Sequence, residues 1–322
     1  MTPAQYACAT AEPTGARSVA THPLSVVVVA LIGRDALANC LDRLPLDAVE
    51  CVVVLTKELR STFQWGRYPS VHFIEAPEEP VPLRRKRGVM AVKGDVVGLL
   101  EDTSWPDEGW CTAVKSAFTD SEAAAAGGAV RIAPTLLSRC QALGWSEYGA
   151  FTPERVEQSA PTGYRRDGSV RIGRVPGNNM AFRRTELLGL LREEVNGLIE
   201  GRLCALLLAQ GRQILHEPRM LVTLSACDQH NVSLATRLHH GRIYAASRLE
   251  GRGWPARFLH LAKAMLLPIV LTARAVFAMG ASSRANLRFP VLIWVSLMAS
   301  AWALGEAVGS MRGAGQSLRE WR

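Results

Sequence analysis

The seven cysteines, at positions 8, 40, 51, 111, 140, 204 and 227, contain no CxxC pair and no closely spaced cluster. That excludes a zinc ribbon, a thioredoxin-type redox motif and the disulfide lattice of a small secreted domain. Several lie inside apolar runs, and the seven read as reduced core thiols. The first 22 residues lack the charged start and apolar run of a signal peptide, so the N-terminal part is expected to stay in the cytoplasm. Being rich in Ala, Thr and Pro, they are expected to form a disordered tail. No helix-turn-helix, zinc-finger or RNA-recognition signature is present, and the positive residues are scattered, which removes nucleic acid as a partner. Ser25 and Ser225 lack a G-x-S-x-G context, so no nucleophile elbow supports hydrolase chemistry. No internal repeat is visible.

What is present begins with charge and size. Lys and Arg total 37 against 29 Asp and Glu, a net +8 that suits phosphate-bearing ligands or anionic lipid headgroups. A chain of 322 residues accommodates one large α/β domain and an appendage. We expect a tail over 1–22, a catalytic domain over 23–250 and a membrane-associated helical segment over 251–322.

Leu24 to Ile32 is a nearly unbroken β-branched run, as in a strand buried on both faces of a parallel sheet. Asp35 to Leu44 has a helical pattern ending at Pro45. Cys51–Leu55 and Val71–Ile74 supply further strands, and Val96–Leu100 another after the amphipathic stretch Leu83 to Lys93. This alternation predicts a mostly parallel α/β sheet in the first half. Ala123 to Ile132 reads as a helix-to-strand passage, Thr152 to Arg174 as a polar loop, and Met180 to Arg192 and Leu198 to Gln210 as helices. Gly211 stands at a helix C-terminus with Pro218 beyond it.

From Phe258 the composition changes. Phe258 to Gly280 is apolar but interrupted by Lys263 and Arg274, whereas Phe289 to Gly305 runs 17 residues without a charge. A membrane-crossing helix needs about 17 to 25 apolar residues, so the second stretch qualifies as a transmembrane helix and the first is better suited to the interface. Two buried helices of a soluble domain are the alternative. Arg237, Arg242 and Arg248 form a juxtamembrane basic segment suited to anionic lipid. His239 and His240 diverge by about 100 degrees on a helix and have no third partner, which argues against a metal site. Trp145, Tyr148 and Phe151 read as core aromatics, with stacking on an acceptor as the alternative.

The segment Leu83 to Trp110, LRRKRGVMAVKGDVVGLLEDTSWPDEGW, concentrates the chemistry. A basic helix leads into an apolar strand that ends in Glu101 and Asp102, where ligands bind in open α/β sheets. A divalent ion held there would neutralise a departing diphosphate; an acidic turn that merely starts a helix is the alternative.

This pattern of arginine-rich helix, R-G-x-x-A-x-x-G-D, apolar strand, acidic triplet and W-P-D-x-x-W resembles the donor half of family-two glycosyltransferases. Gly177 to Arg184, GNNMAFRR, is similar to the stretch bordering their acceptor site. Glu200, Leu203, Leu207, Gly211 and Pro218 follow at the family's spacing, in the run that carries its catalytic base. The resemblance spans roughly residues 24 to 225. It implies a GT-A-like fold and an inverting hexosyl transfer from a nucleotide sugar to an envelope polysaccharide or lipid-linked acceptor, on the cytoplasmic face of the cell membrane. It also implies roles: Arg85 and Gly88 near the donor phosphates, Glu101 and Asp102 at a Mg²⁺ or Mn²⁺ ion and the diphosphate, Asn178, Asn179 and Met180 beside the acceptor, and Glu200 as general base.

Three departures stand out. Ala30, Leu31, Ile32 and Gly33 replace the usual Pro-x-Tyr/Phe-Asn after the first strand; Leu55, Thr56 and Lys57 replace the uracil-reading Asp-Asp; and Thr103 replaces a carboxylate. A binding or scaffold protein that kept the fold, and a nucleotidyl or phosphoryl transferase, are therefore carried as alternatives.

Overall fold

The β-branched run of the N-terminal half does form a strand buried along its whole length, β1 (Leu24–Val29), at the middle of a nine-stranded sheet. The computed structural model describes residues 23–76, 79–119, 121–155, 170–227, 232–282 and 289–321. The expected tail, residues 156–169 of the polar stretch, Cys8, Arg284 and Arg288 lie outside them.

Around β1 the chain alternates as expected through α1 (Arg34–Leu41), β2 (Glu50–Leu55), α2 (Lys57–Thr62), β3 (Val71–Glu75), α3 (Val81–Ala91) and β4 (Val96–Glu101). These four strands are parallel, in the order β3-β2-β1-β4. Beyond β4 the sheet reverses. β5 (Ser104–Pro106) and α4 (Trp110–Thr119) lead to β6 (Ala123–Ile132), followed by α5 (Ser138–Tyr148), β7 (Val170–Arg171) and β8 (Asn179–Arg183). β8 is antiparallel to both β4 and β6. After α6 (Arg184–Leu191) and α7 (Glu200–Ala209), the long β9 (Gln213–Leu224) runs parallel to β6 and antiparallel to β5 and β7. The sheet is therefore mixed, not mostly parallel, because the chain returns through β8 against the direction of its neighbours.

Two local expectations fail for the same reason, the override of propensity by a sheet neighbour. Ala123–Ile132 is strand throughout, its alanines and Gly128 letting β9 come close: a Cβ on Gly128 would lie 1.9 Å from the Met220 carbonyl oxygen. Asn179–Arg183 is strand before its helix begins. Gly211 does close α7, with φ +74.

Two apolar layers flank the sheet. One contains Leu37, Leu41, Trp110, Val114 and Phe118 from α1 and α4; the other contains Val89, Leu187, Leu203 and Leu207 from α3, α6 and α7. Trp145 and Phe151 are core residues, as expected. Cys40, Cys51, Cys111 and Cys204 are buried free thiols, but Cys140 and Cys227 are joined, which corrects the reading of all the cysteines as reduced. Their Cα atoms, 6.0 Å apart, tie α5 to the segment after β9.

The C-terminal part forms α8 (Leu234–Arg248), α9 (Trp254–Ala264), α10 (Leu267–Ala281) and α11 (Phe289–Arg312). Only α11 is long and apolar enough by itself to cross a membrane among the described residues; α9 and α10 reach that length together but bend by 55°. Two of the three cations of the basic segment on α8 turn inward, contrary to expectation, while Arg248 is exposed. Arg237 is buried against Glu147 and the Trp302 ring, and the Arg242 Nε donates to the Gly313 carbonyl. Both charges hold the C-terminal helices to α8, so they are not offered to lipid.

Candidate active site

Three of the residues singled out in the sequence meet at the carboxyl end of β4. Arg85, on the buried face of α3, reaches across to it. Its Nη2 donates to Glu101 Oε1 at 2.6 Å and to the Gly177 carbonyl at 3.1 Å, while its Nη1 donates to Glu200 Oε2 at 2.8 Å. Burial opposes the guanidinium charge, but Glu200 and then Glu101 outweigh it and hold Arg85 more firmly protonated than usual. Burial pushes the Glu101 carboxyl up, with Arg85 opposing.

Glu200 owes its place to a close chain crossing. It opens α7, where the helix dipole favours a carboxylate. The preceding loop docks on α3 through the Leu198 N–H to the Pro82 carbonyl at 2.9 Å. Gly197 permits this approach with φ +81, since a Cβ there would come within 2.4 Å of the Pro82 oxygen. The Glu200 side chain keeps 26% of its surface exposed, and its Oε1 lies beside Gly177. This second oxygen can accept a proton.

Asp102 is placed quite differently from Glu101, as adjacent residues at a strand end point to opposite sides. It is fully buried. Its Oδ1 accepts from the N–H of Leu31 at 2.8 Å and Ile32 at 3.3 Å, and its Oδ2 from Ile32 at 3.0 Å and Gly33 at 3.3 Å. The loop after β1, which lacks polar side chains, thus has its amide groups satisfied by this carboxylate. Burial pushes the Asp102 carboxyl up to about 7, against the pull of those amides.

The donor set does not fit a shared divalent ion. Glu101 is committed to Arg85, Asp102 to the loop amides, and the third member of the triplet is the hydroxyl of Thr103, so the two carboxylates of the triplet do not converge, and Glu200 meets Glu101 only across the Arg85 guanidinium. Among the described residues no group of three or more His, Cys, Asp or Glu side chains could hold a metal ion.

The remaining sequence candidates separate by burial. Gly88 lets α3 settle onto the sheet: a Cβ there would lie 2.3 Å from Val27 Cγ1, so the residue serves packing. Met180 is buried in the core beside Leu99 and Phe182. Asn179 is a buried clasp, accepting from Trp110 Nε1 at 2.8 Å and donating to the Ala129 and Met220 carbonyls. Asn178 differs. Its amide donates to Ser104 Oγ at 2.7 Å, while its buried Oδ1 has no partner among the described residues. Buried orphan acceptors are uncommon and point to a ligand.

Sequence reasoning missed two residues. Arg84 is buried beside the loop after β1, its Nη1 donating to the Ala30 carbonyl at 3.4 Å and its Nε to the Glu79 carbonyl at 2.7 Å. Its position next to Arg85 in a basic run hid which of the run faces inward. Tyr148, read as core, lies close enough to feel Glu147, Glu101, Glu200 and Arg85, and burial followed by Glu147 raises its phenol well above the usual range. A shallow hollow of about 440 Å³ lined by Leu41, Pro45, Arg67 and Tyr68 lies at the amino ends of β2 and β3, away from this cluster.

No protein-family model matches the sequence, and no curated protein matches it. Among solved structures, the fold is similar to the mannosyltransferase PcManGT from Pyrobaculum calidifontis in complex with GDP-Man and Mn²⁺. The TM-score is 0.54 at 17% identity, over 90% of this chain and 87% of that one. Also similar are GalNAc-T7 with UDP, GalNAc and Mn²⁺ (TM-score 0.47, 13% identity, 70% of this chain and 48% of that one) and S. aureus TarS 1–349 (0.43, 10%, 81% and 73%). The mixed α/β fold is thus shared with the PcManGT structure.

Proposed function

We propose that this chain is an inverting glycosyltransferase that moves a hexosyl group from a nucleotide sugar to a hydroxyl of an envelope polysaccharide or lipid-linked acceptor, at the cytoplasmic face of the cell membrane. The observation that carries this is the bridge from Glu101 through Arg85 to Glu200, which leaves one Glu200 oxygen without a hydrogen-bond partner among the described residues, at the edge of the carboxyl ends of the strands. In the GT-A fold that edge is where a nucleotide sugar meets its acceptor.

Glu200 would take the proton of the acceptor hydroxyl as its oxygen attacks the anomeric carbon. The bond from that carbon to the diphosphate oxygen breaks, the diphosphate leaves with the electron pair, and the configuration inverts. Arg85 fixes the Glu200 carboxylate in place, and the unpartnered Asn178 Oδ1 is available to a sugar hydroxyl. Arg84 and Arg85 bring positive charge to the ends of β1 and β4. No step is routed through a metal ion, because the carboxylates do not fit one.

General base catalysis contributes about 10² to 10⁴-fold, so Glu200→Gln should lower turnover by that order while donor affinity is kept. Transfer at the wild-type rate under saturating donor and acceptor would remove Glu200 from the mechanism. The engagement of Asp102 and Glu101 by the protein itself favours a second reading, a binding protein that kept the fold and lost turnover. Nucleotide binding without any transfer across an acceptor panel would favour it.

A further inference from the structure

We propose that α9, α10 and α11 form a raft lying in the plane of an anionic membrane surface, and that α11 does not cross the bilayer. This deepens the membrane placement proposed above and is independent of glycosyl transfer.

The case begins with what α11 touches along its length. In its first half Val291, Val295 and Met298 share a buried cluster with Ile132, Ala142 and Trp145 of the sheet and α5. In its second half Gly305 and Gly309 press on α8, where a Cβ would come within 2.1 Å of the Leu238 carbonyl oxygen and 2.4 Å of that of Arg242. Gly241 of α8 answers them, with 2.2 Å to the Trp302 carbonyl oxygen. Between these contacts the buried Glu306 accepts from Trp302 Nε1 at 2.6 Å and lies 2.7 Å from His260 Nε2. The chain beyond α11 then returns to the catalytic body: His239 Nδ1 meets Ser317 Oγ at 3.0 Å, and the Val81 N–H at the start of α3 donates to the Trp321 carbonyl at 2.8 Å.

A 24-residue helix is about 36 Å long, enough to span a hydrocarbon core of about 30 Å. Standing across one, however, α11 would carry α8 and α5 with it and place Arg237, Glu147 and Arg242 at bilayer depth. Charges at that depth are costly even when paired, as Arg237 and Glu147 are. Lying flat avoids this.

The outward surface fits that orientation. Phe289, Ile293, Leu297, Leu304 and Met311 recur at helical spacing on α11 and are exposed, opposite the buried stripe. On α9 and α10, Phe258, Ile269 and Phe277 are more than half exposed, and the 55° bend between the two helices interrupts any straight span. Lys263 and Arg274 are exposed on the same two helices, the cation and apolar combination that anionic lipid attracts.

The test adds full-length protein to preformed sealed vesicles of phosphatidylcholine, with or without phosphatidylglycerol. Flotation should be stronger with phosphatidylglycerol, and Lys263→Glu with Arg274→Glu should abolish that difference. Phe258→Glu with Ile269→Glu should weaken flotation at least about tenfold, as burying one large apolar side chain is worth about 1.5 to 3 kcal/mol. Their unchanged nucleotide affinity would separate this result from failure of the glycosyltransferase reading. Gln316→Cys should react fully with a membrane-impermeant maleimide on the side carrying the catalytic domain. Protection of that cysteine by the sealed vesicle would establish a crossing helix and overturn the proposal. Absence of flotation, with concentration-dependent dimers lost in the Phe258 and Ile269 variant, would assign the surface to a second copy instead.

Discussion

At the scale of single residues, two buried titratable groups oppose one another. His216 is 1% exposed, stacks on Phe151 and has no partner at either ring nitrogen among the described residues, and burial lowers it to about 4. Its unfolded value is about 6.5, so the stability it confers as a neutral ring is present above that pH and lost as pH falls toward 4, by about 3 kcal/mol in all. Asp102, raised to about 7 from an unfolded value near 3.9, has the opposite sign. Its contribution is present below about pH 4 and lost as pH rises through 7. Between about pH 4 and 6.5 the two slopes oppose, which flattens the native protein's pH dependence. His216→Leu should therefore lose stability more steeply with rising pH, and Asp102→Asn should gain it. Urea unfolding at several pH values checks this; parallel slopes in both variants and the parent would show that neither group titrates as described. The same residues mark what was legible in the sequence. Glu101 could be named from its place at the end of an apolar strand, and Arg85 and Glu200 through the resemblance to family-two glycosyltransferases. The partner of Asp102 could not, since three backbone amides leave no mark in the sequence.

Among the elements, β1, β2 and β4 were readable because a strand buried on both faces is almost continuously apolar, and the edge strand β3 because it is a short β-branched and aromatic run. β6 and β8 were not, since alanine and methionine favour helices until a sheet neighbour decides otherwise. The crossing of α8 with α11 is likewise a matter of pairing: small residues at 241, 305 and 309 matter only because they meet. Gly305→Val should force the helices apart and cost about 1 to 3 kcal/mol, measured as a lower urea midpoint. Gly280→Val on α10, where a Cβ meets nothing within 4 Å, is the control and should lower it far less. Equal losses would mean the crossing is not tight.

For the molecule as a whole, a net charge of +8 coexists with a site where one guanidinium faces two carboxylates. Lys93, a further cation of the donor segment, precedes β4 and so lies a strand's length from Glu101, too far to help. With the acidic triplet occupied by protein donors, nucleotide affinity measured by calorimetry should be the same in EDTA as in Mg²⁺. A large loss in EDTA would mean that an ion draws Glu101 away from Arg85. The hydrogen bond from Val81 to Trp321 reaches further still. It satisfies an N–H in the first turn of the helix that carries Arg84 and Arg85 with a carbonyl distant in the chain. Until residue 321 has been made, that N–H can turn only to water, so the amino end of the arginine-bearing helix receives its last protein hydrogen bond after the C-terminal helices have been translated.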